Sequence, residues 1–204
     1  MCRMLLGKRD SIIRYNKKYN IVTLLDHLVD ELGGDGNGLV LIQDKRIIYN
    51  KKGVLFSTDE INEILLNSEY DYCIFHTRLA SIGAITDNNC HPFVFNNNCI
   101  CMNGTIEKYL VYANKYDMTD TEYLFNKIKD INDINEVIKI LQKEIPAFIG
   151  SINGIPYIVK NLNTISRWKL KKDDLLFASS FTKLEKSNEI EIINDNNFYW
   201  YEGI

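Results

Sequence analysis

The sequence predicts an α+β layered fold rather than a doubly wound one. Short apolar strands open and close the chain, and helical segments lie between and around them. The 204 residues suit one domain, 1–204, long enough to bury roughly 70% of the unfolded surface. Hydrophobic residues at 46% and charged residues at 25% are ordinary for a soluble globular chain, so a packed core is expected.

Residues 2–6 read as a short apolar strand, and residues 22–32 have apolar spacing suited to a helix. Gly33-Gly34-Asp35-Gly36-Asn37-Gly38 is a tight, glycine-dense turn. Two strands follow, Leu39–Gln43 and Arg46–Lys51, and the Asp44-Lys45 link between them suits a hairpin. Ser57-Thr58-Asp59-Glu60 carries the capping residues of a helix start. Tyr72–His76 is a buried-type strand, and a polar loop runs from Arg78 to about Pro92. Cys99–Met102 is another short strand, stopped by Asn103-Gly104, after which Thr105-Ile106-Glu107 begins a helix. Helical segments are predicted near 120–130 and 133–144. The last third reads as strands at 147–152, 156–160, 163–169, 175–180, 190–193 and 198–202.

The formal net charge of -3, with Lys and Arg scattered, gives neither a nucleic-acid footprint nor a polybasic membrane patch. Lys169, Lys171 and Lys172 are followed by Asp173 and Asp174, as at a solvated strand end. The opening Met1–Arg9 is too short in apolar residues for a signal peptide, and no run approaches the roughly 20 apolar residues of a membrane helix. A cytoplasmic protein is therefore expected. Five cysteines, Cys2, Cys73, Cys90, Cys99 and Cys101, are an odd number without secreted context, which argues for reduced thiols.

Cys2 is the most informative residue. Aminopeptidases remove an initiator Met ahead of a small residue, so the mature chain is expected to start at Cys2. Its thiol, with a pKa of about 8.5, and its α-amine, about 7.7 to 8.0, then belong to one residue. The amine accepts the thiol proton and later returns it to a departing amine, so nucleophile and base coincide. Taken alone, a cysteine at position 2 is far more often incidental than catalytic.

Four further elements carry weight only together. Arg78 in His76-Thr77-Arg78-Leu79-Ala80-Ser81-Ile82-Gly83 is a natural carboxylate clamp, or else a structural ion pair. Asn103-Gly104 offers an amide side chain beside an unhindered backbone N–H, a workable oxyanion hole, or else a simple turn. Asp120 in Thr119-Asp120-Thr121-Glu122 suits a substrate ammonium, although the same residues make a capping box. His91, in Asn89-Cys90-His91-Pro92-Phe93, can serve simply to fix the loop backbone. A zinc site from His91, Cys99 and Cys101 is disfavoured because zinc sites usually show closer paired ligand spacing, and no metal or cofactor is expected.

In order, these segments resemble class II glutamine amidotransferases: Met-Cys-Arg-x-Leu-Leu-Gly, Gly-Asp-Gly-x-Gly, His-Thr-Arg-x-Ala-Ser-x-Gly, Asn-x-His-Pro-Phe, Asn-Gly-x-Ile and Thr-Asp-Thr-Glu. The resemblance spans residues 2 to about 125 and continues more loosely through Phe148–Ser151 and Phe177–Ser180. It implies an N-terminal-nucleophile (Ntn) hydrolase fold, a four-layer αββα sandwich of two antiparallel sheets. It implies that Cys2 attacks the side-chain amide of glutamine and forms a γ-glutamyl thioester, which water hydrolyses to glutamate and ammonia. Asn103 and Gly104 would hold the oxyanion, Arg78 the α-carboxylate and Asp120 the α-ammonium, with Ser81 and His91 also at the substrate.

Family members often carry Trp after the loop Arg and His before its Gly, where this chain has Leu79 and Ile82. The chain ends at Ile204 without a second large domain, so the ammonia is expected to serve a separate synthase or ligase subunit, or no acceptor. The opening motif is similar to a small branch of the family, some of which hydrolyse γ-glutamyl bonds in peptides or thiol metabolites. Two readings compete. An N-terminal Cys amidase of the bile-salt or penicillin acylase type would leave Arg78 and Asp120 without a role. A silent glutamine-sensing or assembly subunit would not need Cys2, Asn103 and Gly104.

Overall fold

Alternation of side chains along the first strand sets the layering. A computed structural model describes residues 2–182 and 187–203; Met1, whose removal the sequence leads one to expect, lies outside the described residues. In β1 (Arg3–Lys8), Met4 and Leu6 enter one core while Leu5 enters another. Both faces of the strand are thus buried, as an inner strand of a sandwich requires.

Helices α1 (Arg9–Tyr19), α2 (Ile21–Leu32) and α3 (Thr58–Asn67) cover the outer face of the first sheet through Ile12, Leu24, Leu28, Ile61 and Leu65. That sheet also holds β2 (Asn37–Gln43), β3 (Arg46–Gly53), β4 (Tyr72–Thr77), β9 (Ser166–Trp168), β10 (Leu176–Ala178) and β11 (Ile190–Ile192). Its order among the described residues is β11-β9-β10-β1-β4-β2-β3, antiparallel throughout. The second sheet, β12-β8-β7-β6-β5, is built from β5 (Phe93–Phe95), β6 (Asn98–Asn103), β7 (Ala147–Ile152), β8 (Ile155–Val159) and β12 (Tyr199–Tyr201), again antiparallel. Helices α5 (Asp120–Ile128) and α6 (Ile134–Leu141) cover its outer face; the short α4 (Leu110–Lys115) precedes them. Between the sheets lies a third core of Met4, Leu6, Val40, Ile74, Cys101 and Ile149 among others. The result is the four-layer αββα sandwich.

Several local expectations hold. Asp44 and Lys45 both take positive φ, 49° and 59°, as a two-residue hairpin turn requires. Ser57 caps α3 by accepting from Glu60 N at 3.2 Å. Three differ. The segment 9–19 is a helix that the sequence reading leaves unassigned; its N-cap, Lys8, makes no side-chain capping bond. The three-residue β5 lies just beyond the predicted loop, in residues that the sequence reading leaves unassigned. No helix begins at Thr105: a 3-10 turn starts at Glu107, because Ile106 N–H donates to Asp120 Oδ2 at 2.8 Å and holds Ile106 outside helical geometry. No described helix is long and apolar enough to cross a membrane.

Candidate active site

Strand parity brings the chemistry-bearing residues together. Met4 and Leu6 face the space between the sheets, so Cys2, two residues earlier, faces it too. Cys99 and Cys101 do the same on β6, which points Asn103 inward at that strand's end. β1 and β4 pair with Arg3 opposite Thr77, so Arg78 emerges beside Cys2. All of these strand ends lie at one end of the sandwich.

The central contact crosses from one sheet to the other. Cys2 N donates to Asn103 Oδ1 at 3.0 Å, and both residues are buried. Because the nitrogen is the donor, the Asn103 amide orientation is fixed: its oxygen accepts, and Nδ2 remains as a donor. Asn163 Nδ2 donates to the Asn103 carbonyl and steadies the strand end. Gly104 follows with φ 132°, and a Cβ there would meet Pro146 Cβ at 2.9 Å.

The Cys2 Sγ donates to Leu79 O at 3.7 Å. Burial pushes its pKa up; the Leu79 backbone, acting as a donor to the thiolate form, and the nearby Arg78 charge oppose that, and Asp120 adds to it. The resting thiol is therefore protonated at neutral pH, and a nucleophile here needs a base.

Cys2, Arg78, Leu79, Ser81, Ile82, His91, Met102, Gly104, Thr119, Asp120 and Thr121 surround a cleft of about 20 Å³. That is room for a water and not for an amino acid. Larger open clefts, about 550 Å³ beside Leu55 and Ile85 and about 290 Å³ around Arg9 and Glu69, contain neither Cys2 nor Asn103.

The segment after β4 fills the space. The Arg78 guanidinium donates to Ile82 O at 2.7 Å, Ala84 O at 2.9 Å and Gly83 O at 3.3 Å, so it grips its own loop. Asp35 Oδ2 accepts from Ala80 N at 2.7 Å, and Ser81 Oγ lies 3.4 Å from Thr105 Oγ1. Asp120 is buried at the start of α5, where Thr119 caps the helix by accepting from Glu122 N at 3.1 Å. Its two oxygens accept from Ile106 N at 2.8 Å and Thr121 N at 3.0 Å. Burial raises its pKa against the pull of those N–H groups and Arg78.

His91 joins a second buried histidine beneath the cleft. Met102 N donates to His91 Nδ1 at 3.4 Å, so that nitrogen carries no proton. At the 2.9 Å contact between His76 Nε2 and His91 Nδ1, His76 is then the donor. Burial holds both imidazoles neutral: His76 is pushed down to about 3, and His91 lies well below the usual range. A neutral His91 with Nδ1 accepting bears its proton on Nε2, a donor in the wall of the cleft. His91 is thus in contact with His76, and Cys99 Sγ lies 3.3 Å from Ser151 Oγ, so two of the three residues weighed for zinc have other partners. Among the described residues, no group of three or more His, Cys, Asp or Glu could hold a metal ion.

All seven residues singled out in the sequence therefore meet at one site: six line the cleft, and Asn103 touches the Cys2 nitrogen. Met102, Thr121, Asp35 and Asn163 were not singled out. Asp35 sits in the glycine turn that the sequence does show, whereas nothing in the sequence marks Asn163.

No protein-family model matches the chain. It is 30% identical over 156 residues to the glutamine–fructose-6-phosphate aminotransferase (isomerizing) of Francisella tularensis, covering 74% of this chain and 25% of that protein. A "probable glutamine amidotransferase" of Saccharomyces cerevisiae is 24% identical over 149 residues, covering 64% of this chain and 39% of that protein. The chain thus spans less than half the length of these relatives. Among solved structures, the glutamine phosphoribosylpyrophosphate amidotransferase of B. subtilis superposes with a TM-score of 0.59 at 16% identity, over 88% of this chain and 42% of that one. A glutamine aminotransferase class-II domain protein of Silicibacter pomeroyi superposes with a TM-score of 0.51 at 12% identity, over 95% and 98%.

Proposed function

The chain belongs to the class II glutamine amidotransferase family and has its Ntn-hydrolase fold, and from that premise we propose that it hydrolyses the γ-glutamyl amide of glutamine through a thioester on Cys2. The observation that carries this reading is the contact of Cys2 N with Asn103 Oδ1.

Removal of Met1 makes the Cys2 nitrogen an amine. One of its hydrogens donates to Asn103 Oδ1, and its lone pair takes the thiol proton. The sulfur attacks the amide carbon, and the carbonyl π pair moves onto oxygen. Asn103 Nδ2 and the Gly104 N–H stabilise that oxyanion. Collapse breaks the carbon–nitrogen bond, and the amine's proton leaves with ammonia. Water then adds to the thioester, giving the amine a proton; the carbon–sulfur bond breaks, the thiol is restored, and glutamate departs.

Arg78 takes the α-carboxylate and Asp120 the α-ammonium, which suits a head group bearing one charge of each sign. For this the loop from Leu79 to Ala84 moves outward, and the substrate carboxylate replaces the loop carbonyls on Arg78. Ser81 and the His91 Nε2–H are further contacts. On this reading residues 1–204 form one domain acting in the cytoplasm. The ammonia passes to a separate synthase or ligase subunit.

A second reading has specific support: the head-group grip is indifferent to what leaves, and the loop has Leu79 where the larger Trp is common in the family and an apolar Ile82 where His is common. A γ-glutamyl peptide or metabolite then takes the place of glutamine, with no ammonia acceptor. Glutamate release from glutamine and from γ-glutamyl dipeptides by the purified protein tests both. Hydrolysis of glutamine with Met1 absent by intact mass is expected. A fully active protein retaining Met1 would end the N-terminal-nucleophile reading, and faster dipeptide cleavage would favour the second substrate class.

A further inference from the structure

A charged chain of contacts reaches the nucleophile from the side opposite the cleft. Arg3 Nη1 donates to the Cys2 carbonyl at 3.4 Å, and Arg3 Nε donates to Glu31 Oε2 at 2.9 Å. Glu31, on α2, accepts on the same oxygen from Ser180 Oγ at 2.6 Å. One helical turn earlier, His27 Nε2 lies 3.1 Å from Ser180 Oγ and 3.6 Å from Glu31 Oε1. Arg3 is mostly shielded and Glu31 is about one-third exposed. Burial works to raise the Glu31 carboxyl, but hydrogen bonds from Ser180 and Arg3 outweigh it and hold the group below its ordinary range.

We propose that Arg3 and Glu31 are positioning residues that orient Cys2 and set the proton affinity of its α-amine. The inference rests on the reading of Cys2 as an N-terminal nucleophile. In standard backbone geometry the nitrogen and carbonyl oxygen of one residue are at most about 3.6 Å apart. Arg3 Nη1 therefore lies within about 7 Å of the amine. A guanidinium at that range disfavours a second positive charge, so the amine stays a free base nearer neutral pH. Glu31 offsets part of that field and holds the fork in place. Other ionisable groups near Cys2 include Arg78 beyond β4, Asp120 on α5, the Cys101 thiol on β6 and the neutral His91. Arg78 and Asp120 oppose one another; the Arg3 and Glu31 pair adds a separate, adjustable charge at the carbonyl side.

The test is the pH dependence of kcat/KM for Arg3→Gln, Arg3→Lys and Glu31→Gln, each repeated with His27→Gln to remove the imidazole as a source of change. The acid limb reports the essential base of the free enzyme. It is expected to rise by about half a pH unit in Arg3→Gln, to fall by a similar amount in Glu31→Gln, and to stay in place in Arg3→Lys. Unmoved limbs in active Arg3→Gln and Glu31→Gln overturn the proposal, as do shifts of the same sign. If Arg3→Gln does not fold, the contrast between Glu31→Gln and Arg3→Lys decides alone. Intact mass of the wild type and the activity of Cys2→Ala are measured first. An active Cys2→Ala, or activity with Met1 retained, overturns the underlying reading instead.

Discussion

At the scale of single residues, Asn103 divides its amide between two partners. The oxygen anchors the Cys2 nitrogen, and in the proposed mechanism the nitrogen is left for the oxyanion. The second contact forms only as the carbonyl becomes tetrahedral, so its loss falls on kcat. Asn103→Ala is expected to lower kcat roughly 10²–10³-fold with a smaller change in KM; an enzyme with normal kcat would place the oxyanion hole elsewhere. In the proposed mechanism Arg78 and Asp120 hold charges that the substrate carries in ground and transition state alike. Arg78→Lys and Asp120→Asn are therefore expected to raise KM more than they lower kcat, since Lys lacks the planar fork and Asn the charge. Arg78→Lys carries a second effect, because three loop carbonyls lose the same fork. Cys2→Ala is expected to abolish turnover. Replacing Cys73, Cys90, Cys99 or Cys101 singly is expected to leave the chemical step intact, which steady-state assays on folded variants would check.

At the scale of elements, the turn that leaves β6 carries the site. Gly104 has left-handed geometry, with Pro146 Cβ and Asn163 Nδ2 at 2.9 and 3.1 Å from where a Cβ would stand. Gly104→Ala is expected to cost about 1–3 kcal/mol of stability and to lower kcat as the backbone N–H is displaced. Denaturant melts and kinetics on the same variant measure both, and a silent substitution would refute the tight turn. The strands that bear the site were legible because apolar runs ending in Arg78 or Asn103-Gly104 stand out from the polar loops beside them. Helix α1 was not, since its charged run carries little apolar signal and no capping side chain. The start predicted at Thr105 failed because Asp120, 14 positions on, claims the Ile106 N–H. The Cys2–Asn103 contact, 101 positions apart, follows from the stacking of two sheets and from no local pattern. The Arg78 motif reads as a carboxylate clamp, whereas the structure shows the guanidinium gripping its own loop, which no local pattern announces because it depends on how the loop folds back.

At the scale of the whole molecule, the sheets meet over two buried imidazoles, His76 from β4 and His91 from the segment entering β5, both in contact with Met102 on β6. Burial pushes His76 down to about 3 and His91 well below the ordinary value, the Met102 carbonyl only partly opposing this for His76. In the unfolded chain both titrate near 6.5. Below that pH the unfolded state binds protons that the native state refuses, so stability falls as pH drops from about 6.5 towards 3 and is fully present above 6.5. Well inside the window each imidazole contributes a slope of up to about 1.4 kcal/mol per pH unit. Asp120, raised by burial, acts with the opposite sign, so the histidine contribution is read from the difference between wild type and a histidine variant over the same pH range. Denaturant midpoints at pH 7, 6 and 5 are expected to fall steadily, and His91→Asn is expected to flatten the decline whatever its effect at pH 7. An equal slope in the variant would mean that the imidazole pair is not where the sandwich takes up its protons.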